Sequence, residues 1–99
     1  MASRVYLLSY DIRDPRRLRS MHKVATAYGI MLQYSVYACA LTRAQRIQLK
    51  GRVQEVIDHA VDQVIILDLG AVRDEGSWIP PYESLGLNVN LTVRRSVVV

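Results

Sequence analysis

The first apolar segment of the chain runs from Arg4 to Tyr10, with aliphatic and aromatic residues at both odd and even positions. Apolar residues on both sides of a short segment are typical of a central strand that is covered on both faces. Asp11 follows at the carboxyl end of this predicted strand. The pair Asp14-Pro15 then predicts the start of a helix, because aspartate caps free backbone N–H groups and proline suits the first helical position.

The predicted first helix runs to about Tyr28 and ends at Gly29. Its apolar positions recur at spacings of three and four, which is the period of a helix with one buried side. These positions are Leu18, Met21, Ala25 and Tyr28. Arg16, Arg19 and Lys23 fall together on another face. We therefore expect an amphipathic helix with a basic outer side.

Residues 30–41 form a long β-rich stretch, which is either one bent strand or two strands joined at residues 33–35. Thr42 and Gln45 match a capping box and predict the start of a second helix, which ends near Asp58. The apolar side of this helix consists of Leu49, Val53, Val56 and Ile57. Residues 62–69 predict a further strand.

Two helices that alternate with strands in this order predict an α+β fold, a ferredoxin-like two-layer sandwich of the βαββαβ type with an added C-terminal strand. Residues 1–70 form the predicted core. Residues 71–99 are predicted to be a linker and a strand of the same domain, because 71–86 is a looser stretch and Leu87 to Val93 alternates between apolar and polar residues. In such a sandwich both helices cover one sheet face. Because both strand faces are apolar, we expect a homodimer whose sheets pack face to face.

The 99-residue chain has a formal net charge of +4, and the charge is unevenly distributed. Residues 1–52 carry ten basic and two acidic groups, 10 − 2 = +8, and residues 53–99 carry three and seven, 3 − 7 = −4. A basic half of this kind indicates a polyanionic partner, nucleic acid first and an anionic membrane second. The alternative is that these charges only make the surface soluble.

Cys39 is the single cysteine, so it cannot form an internal disulfide and has no CxxC partner for a zinc or redox site. We interpret it as a small apolar strand residue in a reducing cytoplasm. No apolar run has the length of a membrane span, and the first residues predict no signal peptide. We therefore expect a cytoplasmic protein without a membrane partner.

Asp11 is the candidate metal ligand and catalytic residue. A carboxylate can hold Mg²⁺, and Mg²⁺ neutralises a phosphate and supplies hydroxide for phosphodiester cleavage. One aspartate by itself is a poor metal site. The alternative is that Asp11 only forms a turn before the helix.

Other candidate groups are weaker. Asp14 is interpreted as a helix cap, and His22 and His59 as ordinary histidines without metal-ligand spacing. Ser35 has no histidine and aspartate partners that would make it a serine nucleophile. The five glycines are isolated, so the chain has no glycine-rich phosphate loop.

Residues 9–14 read SYDIRD, Tyr28-Gly29 follows, and residues 33–37 read QYSVY. These motifs, in this order and in a chain of this length, resemble those of the family of CRISPR-associated protein two. The resemblance covers approximately residues 4–70. The resemblance implies a ferredoxin-like homodimer with the aspartate after the first strand near the two-fold axis. It also implies either Mg²⁺-dependent endonuclease activity, on single-stranded RNA or double-stranded DNA, or a scaffold that joins integrase subunits during spacer insertion.

The same resemblance assigns roles to individual positions. Asp11 matches the metal-binding aspartate, with one Mg²⁺ shared between two copies. Ser35 and Tyr37 match the family's QYSV-aromatic segment, and Arg16, Arg17 and Arg19 stand where members have basic helix residues. With Arg13 and Lys23, which the basic side of the first helix adds, these are the positions that we predict to bind nucleic acid.

Three hypotheses follow for the function. The first is an adaptor in CRISPR spacer acquisition that binds duplex DNA and the integrase subunit. The second is a metal-dependent endoribonuclease or double-stranded deoxyribonuclease that acts through paired Asp11. The third lies outside CRISPR systems: a ferredoxin-like RNA-binding module or a toxin-type ribonuclease, although the strands lack the aromatic and glycine signature of RNA-binding modules.

Overall fold

A computed structural model of the chain describes residues 3–72, 78–79, 81–87 and 97–98. Its main body consists of two helices on one face of a four-stranded antiparallel sheet with strand order β2-β3-β1-β4. The elements follow one another as β1 (Arg4–Asp11), α1 (Pro15–Tyr28), β2 (Ile30–Gln33), β3 (Val36–Leu41), α2 (Arg43–Val56) and β4 (Gln63–Ala71). The predicted ferredoxin-like α+β fold is therefore confirmed.

The helix starts form as the local sequence predicts. The Asp14 side chain accepts a hydrogen bond from the backbone N–H of Arg17 at 2.9 Å, and Pro15 occupies the first helical position. Thr42 and Gln45 form both hydrogen bonds of a capping box. The caps satisfy backbone groups that the first helical turn leaves without partners.

Gly29 ends α1 at a point where the chain passes directly over β3. A Cβ at this position would lie 2.5 Å from both the carbonyl oxygen of Ala38 and the Sγ of Cys39. Residue 29 is in an extended conformation, so the requirement for glycine comes from this close approach and not from backbone strain.

The β-rich stretch at 30–41 forms two strands, which confirms the second of the two alternatives that the sequence left open. Gln33 pairs with Val36, and the two residues between them form the turn. Ser35, the second residue of this turn, has a φ of 67°, the left-handed conformation that a type II turn has at that position.

The hydrophobic core lies between the helices and the sheet. It contains inward residues of β1 and β3, Met21, Val24 and Ala25 of α1, and Leu49 and Val53 of α2. Leu18, predicted in the apolar side of α1, is 36% exposed, and Val24 is buried instead. Helix α2 ends at Val56, two residues before the predicted end.

The sheet face opposite the helices is apolar along β4. Ile65, Leu67 and Leu69 are 49%, 50% and 45% exposed, respectively. We call these three residues the β4 apolar row. Exposed apolar side chains in such a row are typical of a surface that another protein surface covers.

Beyond the main sheet, β5 (Tyr82–Glu83) pairs in parallel with β6 (Val97–Val98). The strand predicted from Leu87 to Val93 lies, from residue 88 onward, outside the described residues. The assignment of 71–99 to the same domain stays a prediction. Within the described part of the chain, neither helix has the length and apolar composition needed to traverse a bilayer.

Candidate metal and nucleic-acid site

Asp11 is the last residue of β1 and pairs with Gln63, the first residue of β4. Alternation along the strand places it on the same face as Leu7 and Ser9, opposite the helices. The side chain is exposed, and no other side chain or backbone group in the described ranges forms a hydrogen bond or ion pair with it. The Asp11 carboxylate is thus available at the end of the face that carries the β4 apolar row.

Ser35 lies beside the same end of β1. Its carbonyl oxygen accepts a hydrogen bond from the backbone N–H of Tyr10 at 3.1 Å. Because Tyr10 directly precedes Asp11, the β2–β3 turn is held next to the candidate ligand. Two motifs that are more than twenty residues apart in the sequence are therefore brought together.

Arg17, predicted to bind nucleic acid, is engaged in an ion pair inside the protein. Its Nε donates to Oδ2 of Asp62 at 2.7 Å, and its Nη2 donates to Oδ1 at 3.3 Å. The Asp62 side chain is only 1% exposed and also accepts from the backbone N–H of Asp58 at 2.8 Å. This guanidinium lowers the pKa of the Asp62 carboxyl below its usual value. Arg17 thus fastens the start of α1 to the segment that precedes β4. Its side chain is 30% exposed, and its role in binding nucleic acid stays a prediction.

This ion pair also holds the segment that contains the candidate ligand. The β1–α1 connection is fixed at one end by the pairing of Asp11 with Gln63 and at the other by the contact of Arg17 with Asp62. The two anchoring residues, 62 and 63, are adjacent in the chain. The position of Asp11 therefore depends on contacts about fifty residues away in sequence, which no local motif reveals.

Tyr37 does not reach the surface. It is 1% exposed, its ring stacks on Tyr10 with centroids 6.2 Å apart, and its hydroxyl lies 2.8 Å from Nδ1 of His22. A side chain buried in this way cannot contact nucleic acid directly, so its assignment as a binding residue is corrected to a core role. Sequence reasoning missed the pair with His22, because a tyrosine and a histidine on separate elements have no recognisable spacing.

The remaining predicted cations are available for a ligand. Arg13, Arg16, Arg19 and Lys23 are all exposed, and none forms a salt bridge with another described residue. The last three recur along one side of α1 at spacings of three and four, so their charges reinforce one another. We call these three residues the α1 basic stripe.

The protein offers a limited ligand set for a metal ion. Among the described residues there is no group of three or more His, Cys, Asp or Glu side chains that could hold a metal. Asp11 supplies one free carboxylate per chain. Such a ligand fits Mg²⁺, which binds through one or two carboxylates and completes its shell with water and phosphate oxygens.

Cys39 takes no part in this chemistry. The residue is fully buried on β3, and burial raises the pKa of its thiol to about 11. A protonated, inaccessible thiol is a poor nucleophile and a poor metal ligand. The interpretation of Cys39 as an apolar strand residue is confirmed.

A four-stranded antiparallel sheet under two helices, with an exposed carboxylate at the end of its first strand and a basic first helix, defines a ferredoxin-like α+β protein. The sequence profile of the family described as CRISPR associated protein Cas2 matches residues 4–75. The chain belongs to the CRISPR-associated Cas2 family.

Individual relatives agree with this assignment. The CRISPR-associated endoribonuclease Cas2 of Geobacter sulfurreducens is 37% identical over 96% of this chain and 97% of its own length. A second protein of that name, from Rhodospirillum rubrum, is 34% identical over 99% of this chain and 93% of its own.

Solved structures match the fold. The crystal structure of a hypothetical protein from Thermus thermophilus has a TM-score of 0.71 at 26% identity, covering 87% of this chain and 94% of that one. The crystal structure of Streptococcus pyogenes Cas2 at pH 6.5 has a TM-score of 0.63 at 32% identity, covering 67% and 86%. Family membership also sets aside the hypothesis of a module outside CRISPR systems.

Proposed function

We propose that this protein is a homodimeric subunit of CRISPR spacer acquisition, which binds duplex DNA and bridges integrase subunits in the cytoplasm. The observation that carries the DNA-binding part is the α1 basic stripe: three exposed cations on one helix side without partners among the described residues. Counterion release makes such a surface favourable for a phosphate backbone.

The geometry of the stripe favours binding that is independent of base sequence. With a rise of 1.5 Å per residue, the distance from Arg16 to Lys23 along α1 is about 10 Å, which spans one or two successive phosphates. Arg13 lies just before the helix and adds a further exposed charge.

The salt dependence of DNA binding tests this proposal. Replacing Arg16, Arg19 and Lys23 together by Ala should weaken the binding of unrelated duplexes equally and lower the salt slope by about 0.9 for each phosphate that the variant no longer neutralises. The matched control replaces three exposed cations of α2, Arg43, Lys50 and Arg52, by Ala.

Two other outcomes would change the assignment. An unchanged salt slope together with loss of binding to the integrase subunit would make the stripe a protein-docking surface. If both interactions survive in the α1 variant, or if the α2 control loses DNA binding to the same extent, the stripe has no specific role.

The homodimer is supported by the β4 apolar row. Three large side chains that are about half exposed would gain free energy from burial against a second copy. Asp11 lies on the same sheet face, so packing two such faces together would bring the two carboxylates into one interface. Ser35, held beside β1, would flank that region.

A second candidate activity is a Mg²⁺-dependent endonuclease that acts through the paired Asp11 residues on RNA or DNA. It is favoured by the free carboxylate at the end of β1 and by the relatives named as endoribonucleases. Bound Mg²⁺ would neutralise charge on the scissile phosphate and lower the pKa of a coordinated water. The protein itself would contribute a ligand of fixed position, held by Gln63 and by the Arg17–Asp62 ion pair.

Cleavage of labelled RNA and DNA by the purified dimer, with and without Mg²⁺, tests this activity. Asp11→Asn should abolish cleavage and leave the fold and dimer intact, because the amide keeps the shape but loses the charge that binds the metal. Asp14→Asn is the matched control, since asparagine is an equally good helix cap. Cleavage retained by Asp11→Asn would exclude Asp11 from the mechanism. If neither wild type nor variant cleaves while both bind DNA, the adaptor is the sole function.

A further inference from the structure

A groove lies between α2 and β4 on the helix-covered side of the sheet. Only two helices pack on four strands, so the part of the sheet beside α2 has no helix above it. The groove has a volume of about 580 Å³, within the range of sites that hold a ligand. It is on the opposite side of the sheet from Asp11 and the β4 apolar row, and nothing in the proposed function uses it.

The floor of this groove is apolar. Val53 of α2 and Tyr6 of β1 form its buried base, and Val64 and Ile66 of β4 remain partly exposed. Tyr6 is only 6% exposed, so its ring is not presented for stacking. The floor therefore suits an aliphatic or aromatic side chain of a ligand and offers no platform for a nucleic-acid base.

One wall of the groove is cationic. Arg46 and Lys50 are four residues apart on α2, which places them one helical turn apart on the same side. Neither forms a salt bridge with a described residue. The carboxylate in the groove, Asp68, is paired with Arg4 through contacts of 2.9 and 3.2 Å to Nε. The hydrogen bond from Arg4 lowers the pKa of the Asp68 carboxyl, and the charge of Arg46 also helps to lower it, while Lys50 has no such partner among the described residues. The groove thus combines an apolar floor with a wall on which positive charge is in excess.

We propose that this groove binds an acidic peptide segment of a protein partner, with a large apolar side chain seated on the floor and carboxylates against Arg46 and Lys50. Charge complementarity with the α2 wall selects an anionic occupant. The aliphatic floor gives a seat to an apolar side chain and no stacking platform to a base, which favours a peptide over a nucleic acid. Residues 88–99 of the chain itself contain Arg94 and Arg95 and no acidic residue, so their charge does not match.

The test uses a soluble peptide that consists of glutamates with one central leucine. The peptide is titrated into the isotope-labelled full chain, and binding is measured by the changes in amide chemical shifts. The expected shifts map to residues along the groove. Two peptide controls separate the contributions: one has glutamines in place of the glutamates, and the other has serine in place of the leucine. Each should bind about tenfold more weakly, because each removes one of the two matched interactions.

Protein variants locate the site. The double variant Arg46→Glu, Lys50→Glu should lower the affinity for the peptide by about tenfold or more. The control Arg43→Glu, Arg52→Glu makes the same charge change on another part of α2 and should leave the affinity within about twofold of wild type. Val64→Thr keeps the side-chain volume but makes the floor polar. It should lower the affinity for the leucine peptide and leave the affinity for the serine peptide unchanged.

The proposal does not depend on DNA binding or on cleavage, so it is tested separately from them. It is overturned if the peptide does not bind, if both double variants lose affinity for the peptide equally, or if the chemical-shift changes map to α1. Displacement of the peptide by a short oligouridylate with the same dependence on Arg46 and Lys50 would assign the groove to nucleic acid instead.

Discussion

The β4 apolar row gives a direct prediction for dimer stability, with Leu67 as the residue to change. Full burial of a leucine or isoleucine side chain contributes about 1.5–3 kcal/mol. Leu67 is 50% exposed, so covering the remaining half contributes about 1 kcal/mol. Ile65 and Leu69 are exposed to a similar degree, so the row contributes about 3 kcal/mol per protomer and about 6 kcal/mol per dimer.

Leu67→Ser removes this contribution at one position in each of the two protomers. The two-fold symmetry of a homodimer doubles the loss to about 2 kcal/mol, which raises the dissociation constant about thirtyfold. The fold of the protomer should change little, because half of the side chain already faces solvent.

Sedimentation equilibrium over a range of protein concentrations measures the effect. Wild type should have about twice the chain mass of 11.3 kDa at micromolar concentration. Ile47→Ser is the matched control, because Ile47 is 56% exposed on α2, in the opposite layer. A monomeric wild type, or equal dissociation constants for the two variants, would refute the assignment of the row to a dimer interface.

Three further predictions concern residues that stabilise the fold. Gly29→Ala should lower the free energy of unfolding by about 1–3 kcal/mol in chemical denaturation, because the added methyl group overlaps Ala38; an unchanged value would contradict the close approach. Asp62→Asn should destabilise the protein at neutral pH. Because Arg17 lowers the pKa of Asp62 in the folded state, its contribution is present above the usual carboxyl pKa and is lost as the pH falls below it. The difference between wild type and variant should therefore shrink below about pH 4, and a difference that is constant with pH would exclude the ion pair as its cause. Tyr37→Phe should cost about 1 kcal/mol of stability and leave the affinity for DNA unchanged, and reduced affinity in the folded variant would restore a binding role.

Elements that depend on neighbouring residues were predictable. The capping box at Thr42 and Gln45 involves groups three residues apart, so the sequence alone identifies both partners. The same holds for the Asp14-Pro15 helix start and for the alternation of faces along β1, which together with the family motifs leads to the fold. The basic side of α1 follows from helical periodicity, and the structure leaves its three cations exposed.

Contacts between distant segments were decided only by the tertiary structure. Arg17 has the same charge and lies on the same helix as Arg16 and Arg19, yet its guanidinium is paired with Asp62, forty-five positions away. Tyr37 belongs to a recognisable motif, but the packing of β3 under α1 buries it. A sequence shows which residue types are present and which local periods they follow. Whether a cation or an aromatic ring meets solvent, a ligand or another side chain depends on which elements pack together, and that is set by pairings across the whole chain.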